Sequence, residues 1–306
     1  MAKVMLRKGR VRAWVKRIAP PGTRQVYNAW KLSGQRRREM RRIVGNARAG
    51  APRTVTYLTH GGLANRLRAH MLAWDFARRT NRRLAVNWAR NRHCGALFDD
   101  LFERNDAPHF VDGDYYLAQY NSVTDQASHD LARDVPNAAF VLDLNWQHIN
   151  RVAFEQRLGE SHAQVKNAVQ PRSIIVDQVE AVSRDWPRTV IGVHVRRGDF
   201  VTLAQQALPL DHYLNGIERA GQAVGEPEAM IFLASDGSDE ELKLLLNRFG
   251  SRIMRRCPLP RNTTEGVQIA LVDMLLLART RHLVLTPCSF FGEMAAFIGN
   301  VPFTYA

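Results

Sequence analysis

The residues best equipped for chemistry sit at one point of the chain, Val190-Ile191-Gly192-Val193-His194-Val195-Arg196-Arg197-Gly198-Asp199. The first six read as a strand buried on both faces of a parallel sheet, because they are apolar, largely β-branched and uninterrupted. The run ends in a polar burst of His194, Arg196, Arg197 and Asp199. Open α/β sheets bind ligands beyond the carboxyl ends of their strands. Two guanidinium groups at such an end are costly to hold without an anion, and each fork matches two phosphate oxygens. The chemistry implied is diphosphate binding, the other reading being an ordinary strand followed by a solvated Arg-Arg turn.

The rest of the chain must position that strand end. Thr54-Val55-Thr56-Tyr57-Leu58-Thr59 reads as a first strand. His60-Gly61-Gly62-Leu63-Ala64-Asn65-Arg66 follows as a glycine-rich turn, and Leu67, Met71, Trp74 and Ala77 set a helical period up to Arg78-Arg79. Arg83 to Trp88 then reads as a second strand, so the turn lies inside a βαβ unit, where helix N–H groups favour an anion. Phe140 to Leu144 reads as a third strand, and 161 to 184 carry a helical pattern. Further on, Met230 to Asp236 is a second buried strand ending in polar residues. Ser238 and Glu241 form a capping-box pair for a helix from Asp239 to Phe249, closed by Gly250. Glu265 to Arg281 reads as a helix, His282 to Thr286 as a strand, and Pro287-Cys288-Ser289 opens the last helix.

Composition narrows the function classes. The chain has 306 residues, 45% hydrophobic, enough for one large core or two modest ones. The formal net charge of +14 points first to nucleic acid. Residues 1–50 hold the whole excess, with 15 Lys and Arg against the single acid Glu39, whereas beyond them 28 bases meet 28 acids. Within that tail Val4, Val11, Trp14, Val15 and Ile18 share a helical stripe, with Arg7, Lys8, Arg12, Lys16 and Arg17 largely elsewhere. The pattern fits a basic helix on an anionic membrane surface as well as it fits a disordered polybasic tail. No aromatic platform accompanies the charge, so nucleic acid is not the expected partner. No apolar run is long enough to span a membrane and the charged N-terminus lacks a secretory pattern. Three cysteines without metal-ligand spacing suit free thiols in a reducing compartment. The expected location is therefore cytoplasmic, peripheral on the inner face of the membrane. Asp112-Gly113-Asp114 lacks the further carboxylates of a calcium loop. Asp99-Asp100 reads as surface, and Cys288 lacks a base to activate it.

The segment His194-Val195-Arg196-Arg197-Gly198-Asp199 resembles the His-x-Arg-Arg-x-Asp motif of GDP-fucose-dependent fucosyltransferases, the α1,6-, α1,2- and protein O-fucosyltransferase group that includes the nodulation-factor enzymes. Gly62 to Leu67 resembles that group's Gly-x-x-Asn-x-Leu turn, Ala234-Ser235-Asp236 its second motif and Thr286 to Ser289 its third. The four lie in the family's order over about residues 57 to 299. The resemblance implies an α/β fold of GT-B type, two Rossmann-like domains facing across a cleft: 1–50 a basic tail, 51–187 the acceptor-side domain, 188–306 the nucleotide-sugar domain. It implies Gly62, Ala64 and Asn65 as donor contacts from the first domain, and Arg66 at the acceptor or a phosphate unless it is a surface residue. Arg196, Arg197 and Ser289 would hold the diphosphate. Asp273, a carboxylate in an apolar helix, would accept guanine's two parallel donors, with His194 near the base. Asp236 serves the sugar or ribose end or caps structure. Tyr213, in a Pro-x-x-x-Tyr element, is expected near the donor. Arg196, Arg197 and Asp199 form the catalytic set, although residues 200 to 210 hold no Asp or Glu where some relatives carry a proposed base. The expected reaction is inverting, metal-independent transfer of fucose from GDP-β-L-fucose to a glycan or glycolipid hydroxyl, without a cofactor. Rivals are the same scaffold with another nucleotide sugar, and a non-catalytic nucleotide- or glycan-binding relative.

Overall fold

The computed structural model describes residues 54–58, 61–88, 90–104, 110–111, 140–143, 166–198 and 208–306. The basic tail, Asp112 to Asp114 and Asp199 lie outside the described residues.

Two parallel sheets organise the chain. The first has the order β4-β2-β1-β5, from β1 (Thr54–Leu58), β2 (Arg83–Ala85), β4 (Phe110–Val111) and β5 (Phe140–Asp143). A short antiparallel pair, β3 (Phe102–Glu103) with β6 (Gln170–Pro171), stands beside it. The second sheet has the order β11-β10-β7-β8-β9, from β7 (Val190–Val195), β8 (Met230–Ser235), β9 (Ile253–Arg255), β10 (His282–Leu285) and β11 (Phe303–Tyr305). Counted from β7, this is the doubly wound order in which the first strand lies between the second and the fourth. The connections reverse direction between β7 and β10. In sheets of this order ligands bind at that switch point, outside the carboxyl ends, where the flanking helices diverge to opposite faces.

The period-2 rule sorts side chains on β7. Ile191, Val193 and Val195 face a smaller core closed by α3 (Leu210–Ala223) and α4 (Asp239–Phe249). Val190 faces the larger core, and His194 shares its side of the strand by the same alternation. α5 (Thr264–Leu277) and α6 (Phe290–Gly299) cover that side. This larger core runs without a break into the first half, to Val55, Leu67 and Met71. α1 (Leu63–Arg79) packs on α6, and α2 (Ser173–Ser183) on α5. A second contact ties the halves: the Gly95 amide donates to the Arg261 carbonyl at 2.9 Å and Gln268 Nε2 to the Asp100 carbonyl at 3.0 Å.

Several boundaries differ from the sequence expectation: β2 stops at Ala85 rather than Trp88, and within 161 to 184 the described helix is Ser173–Ser183. α1 begins at Leu63, one turn before Leu67, with Leu63 and Ala64 already buried in the larger core directly after the glycine turn. α5 ends at Leu277, after which the amides of Arg279 and Thr280 turn to the carbonyls three residues back, of Leu276 and Leu277. Asp99 and Asp100 stand in a 3-10 turn, engaged by Arg104 and Arg90, as a surface pair.

Candidate nucleotide-sugar site

The arginine turn at the end of β7 is held by its backbone. The Arg196 amide donates to Thr286 Oγ1 at 2.8 Å and the Arg197 amide to Asp236 Oδ1 at 2.6 Å. Thr286 follows β10 and Asp236 follows β8, so the two neighbouring strands pin the turn from both sides. Thr286 Oγ1 directs its single hydrogen to the His194 carbonyl at 2.9 Å. Tyr213 is therefore the donor in the 2.7 Å contact between the two hydroxyls. The Tyr213 side chain is wholly buried, and burial raises its phenol pKa against the Thr286 hydrogen bond. Tyr213 thus braces Thr286 from the core side, one hydrogen bond behind the arginine turn.

Asp236 engages the Arg196 side chain as well. Besides the Arg197 amide it accepts from Arg196 Nη1 at 2.6 Å, both side chains being about a quarter exposed. Gly198 turns back over that carboxylate at φ +40, where a Cβ would stand 2.6 Å from Asp236 Oδ2. Only glycine makes this turn without strain. The Arg197 side chain runs the other way, is 7% exposed and donates from Nη1 to the Leu208 carbonyl at 2.9 Å. Its Nε is buried with no hydrogen-bond partner. Neither guanidinium is turned loose into solvent.

His194 lies on the opposite face of β7, 4% exposed, stacked on Phe291 with centroids 5.0 Å apart. Burial, with Arg196 beside it, pushes the imidazole down to about 3, so it is neutral near pH 7. Its Nδ1 is buried without a hydrogen-bond partner. Phe291 belongs to the first turn of α6. Ser289 is the N-cap residue of that helix and is buried, yet its hydroxyl accepts no cap hydrogen bond. The first-turn N–H groups of α6 thus face the switch point at the end of the positive helix dipole.

In the first half α1 carries the glycine turn. Gly62 is its N-cap, with no side-chain cap and no acid in the first turn. Ala64 is buried and Asn65 half-buried, its amide folded against Gly61. Arg66 is no surface residue: it is 1% exposed, donates from Nε to the Gly61 carbonyl at 2.9 Å and lies 5.6 Å from the Trp88 ring centroid.

Asp273 stands with Arg256 rather than with the His194 stack. Their nearest atoms are 3.8 Å apart, and both Asp273 Oδ1 and Arg256 Nη1 are buried without a hydrogen bond. Burial pushes the carboxyl up to about 7, against the pull of Arg256. Such a pair offers a ligand one acceptor edge and one donor edge. Among the described residues no group of three His, Cys, Asp or Glu side chains could hold a metal ion.

Sequence reasoning missed the role of Thr286. Its signals were its place in the third motif and its position one residue past a strand whose Leu285 pairs with His194.

No protein-family model and no curated protein matches the chain. Solved structures do. A NodZ α-1,6-fucosyltransferase soaked with GDP-fucose is 20% identical, with a TM-score of 0.58, and the match covers 80% of this chain and 92% of that one. Fucosyltransferase NodZ from Bradyrhizobium is 21% identical, with a TM-score of 0.54 over 79% and 92%. POFUT1 in complex with GDP is 14% identical, with a TM-score of 0.52 over 82% and 97%. At these identities the likeness is one of fold: the chain has the α/β, GT-B-type fold of these fucosyltransferases.

Proposed function

We propose that this chain is a glycosyltransferase moving fucose from GDP-β-L-fucose to a hydroxyl of a glycan or glycolipid, with inversion and without a metal ion. The observation that carries the reading is the arginine turn pinned by Thr286 and Asp236 at the switch point, opposite the open N-terminus of α6. The solved structures with this fold, described with GDP or GDP-fucose, support the choice of donor.

The chemistry follows from charge. Breaking the sugar C1–O bond leaves positive charge on the sugar and adds negative charge to the departing diphosphate. Stabilising the leaving group lowers that barrier most. Arg196 is paired to Asp236 in the free protein. A diphosphate offers two oxygens to the same guanidinium and competes for it. Arg197, buried and held to Leu208, supplies fixed positive charge that need not reorganise. Ser289 and the first-turn N–H groups of α6 receive the β-phosphate. The ionised Asp273 accepts the N1–H and amino group of guanine, with neutral His194 at the base. The Gly62–Asn65 turn closes the donor from the other half, and the acceptor hydroxyl enters on that side. Asp199 is the sequence candidate for the base that takes the acceptor proton.

The deciding experiment is a donor screen on the full chain: hydrolysis of GDP-fucose, GDP-mannose and UDP-sugars, with and without chelator. GDP-fucose turnover that survives chelation is the expected result. Turnover of another sugar replaces the donor. GDP binding without turnover on any acceptor favours a binding protein, the reading to which the absence of acids in residues 200 to 210 points. The basic tail is read as a peripheral anchor on the cytoplasmic face. Binding to anionic but not neutral vesicles, lost on deleting residues 1–50 with GDP affinity retained, is the outcome that reading requires.

A further inference from the structure

α1 carries a second buried cation that the donor reading leaves unused. The guanidinium carbon of Arg68 lies 4.0 Å from the centroid of the Phe290 ring, and the residue is buried. Phe290 is the first residue of α6, next to Ser289. One turn on, the Glu293 carboxylate acts on Arg68 through space and accepts the Tyr305 hydroxyl at 3.0 Å. A buried cation against the start of a helix is electrostatically misplaced, because partial positive charge already gathers there. Glu293 faces it with opposite charge. An anion bound at the helix start reverses the sign of the whole arrangement, since Arg68 and the dipole then act on it together.

The same helix start bears an independent mark of a ligand. The unpartnered Nδ1 of buried His194 sits 3.2 Å from where a Cβ on Gly292 would stand, inside the first turn of α6. Two arginines just past β7 and one of α1 thus approach the switch point from opposite halves.

We propose that Arg68 is a positioning residue for the β-phosphate of the nucleotide donor, contributed by the first half and acting through Phe290 and the first turn of α6. The inference rests on the donor reading above. It makes diphosphate affinity depend on a residue 128 positions before Arg196 and on the docking of α1 against α6. It also separates two parts of the donor: Arg68 serves the terminal phosphate and leaves the nucleoside alone.

Calorimetric titration of the full chain with GDP and with GMP, which lacks the β-phosphate, tests this. Arg68→Met keeps an unbranched side chain on the Phe290 ring without the charge. It should weaken GDP about tenfold and GMP less than about twofold. Arg68→Lys should recover most of the GDP affinity. Glu293→Gln keeps an acceptor for Tyr305 and removes the opposing charge, so it should tighten GDP about threefold. That variant answers the question if Arg68→Met does not fold. Equal losses for GDP and GMP in Arg68→Met, or GDP affinity unchanged or weakened in Glu293→Gln, overturn the inference. A wild-type chain that binds neither nucleotide overturns the donor reading, and this inference with it. A wild-type chain that binds GDP while Arg68→Met binds it equally well overturns the inference alone.

Discussion

Two helices of the second sheet begin alike in sequence and end up differently. α4 follows β8 through Ser238, and α6 follows β10 through Ser289. The Ser238 hydroxyl accepts the Glu241 amide at 3.3 Å, and the Glu241 carboxylate returns to the Ser238 amide at 2.8 Å. The orphan donors of α4 are satisfied by its own first turn. Ser289 makes no such bond, and its helix start faces His194, Arg68 and the arginine turn. One N-terminus is finished locally and contributes stability. The other is left unfinished at the switch point, where a ligand can complete it. Three residues on from Ser238 stands Glu241, which completes the box in α4. In α6 that position is Gly292.

The contrast can be broken most severely at the strand end facing α6. Arg196→Ala should cut donor turnover by about two to three orders of magnitude in protein with an unchanged thermal midpoint. Near wild-type turnover would remove the diphosphate role. Asp273 comes next. Replacement by Asn leaves guanine one acceptor instead of two and should weaken GDP about ten- to hundredfold by titration. The carboxyl's raised pKa, about 7, adds a pH signature. Guanine pairing needs the carboxylate, so GDP affinity should climb as pH rises towards that value and level off above it. Stability moves the opposite way. An acid whose folded pKa is raised contributes stability that is full below its unfolded value, about 3.9, and is lost as pH rises through its folded one. Asp273→Asn should flatten the thermal midpoint between those limits, and a midpoint still falling over that window would count against the assignment.

The two serines give the sharpest test and the smallest effects. Ser289→Ala should weaken GDP about tenfold while shifting the thermal midpoint little. Ser238→Ala should leave GDP binding alone and cost about 1 kcal/mol of stability, read by denaturant titration. If both substitutions act on stability alone, α6 begins no differently from α4, and the helix start is not a ligand site.

Much of this was legible beforehand. The apolar run of β7, the capped helix after Ser238 and the glycine turn before α1 are local patterns, and each fell where periodicity and turn chemistry put it. Less legible were β9 and β11, three residues each, too short to carry a pattern. The roles of single polar residues were least so. Arg66 reads as equally fit for surface or site, and it lies in the core with Gly61 and Trp88. Asp236 reads as a ribose contact or a cap, and it holds the arginine turn 39 residues earlier in the chain. Tyr213 reads as a residue near the donor, and the bond it makes is to Thr286.

By itself the sequence determined the alternation of strand and helix, the polar ends of the buried strands and the confinement of the excess charge to the first 50 residues. These depend on neighbours a few positions apart, where backbone geometry repeats. Only the tertiary structure decided that Thr286 and Asp236 close on one turn from two strands, that Asp273 faces Arg256 and that Arg68 reaches Phe290 across the halves. Those pairings follow from strand order and helix docking, and burial decides which polar atom finds a partner and which is left for a ligand.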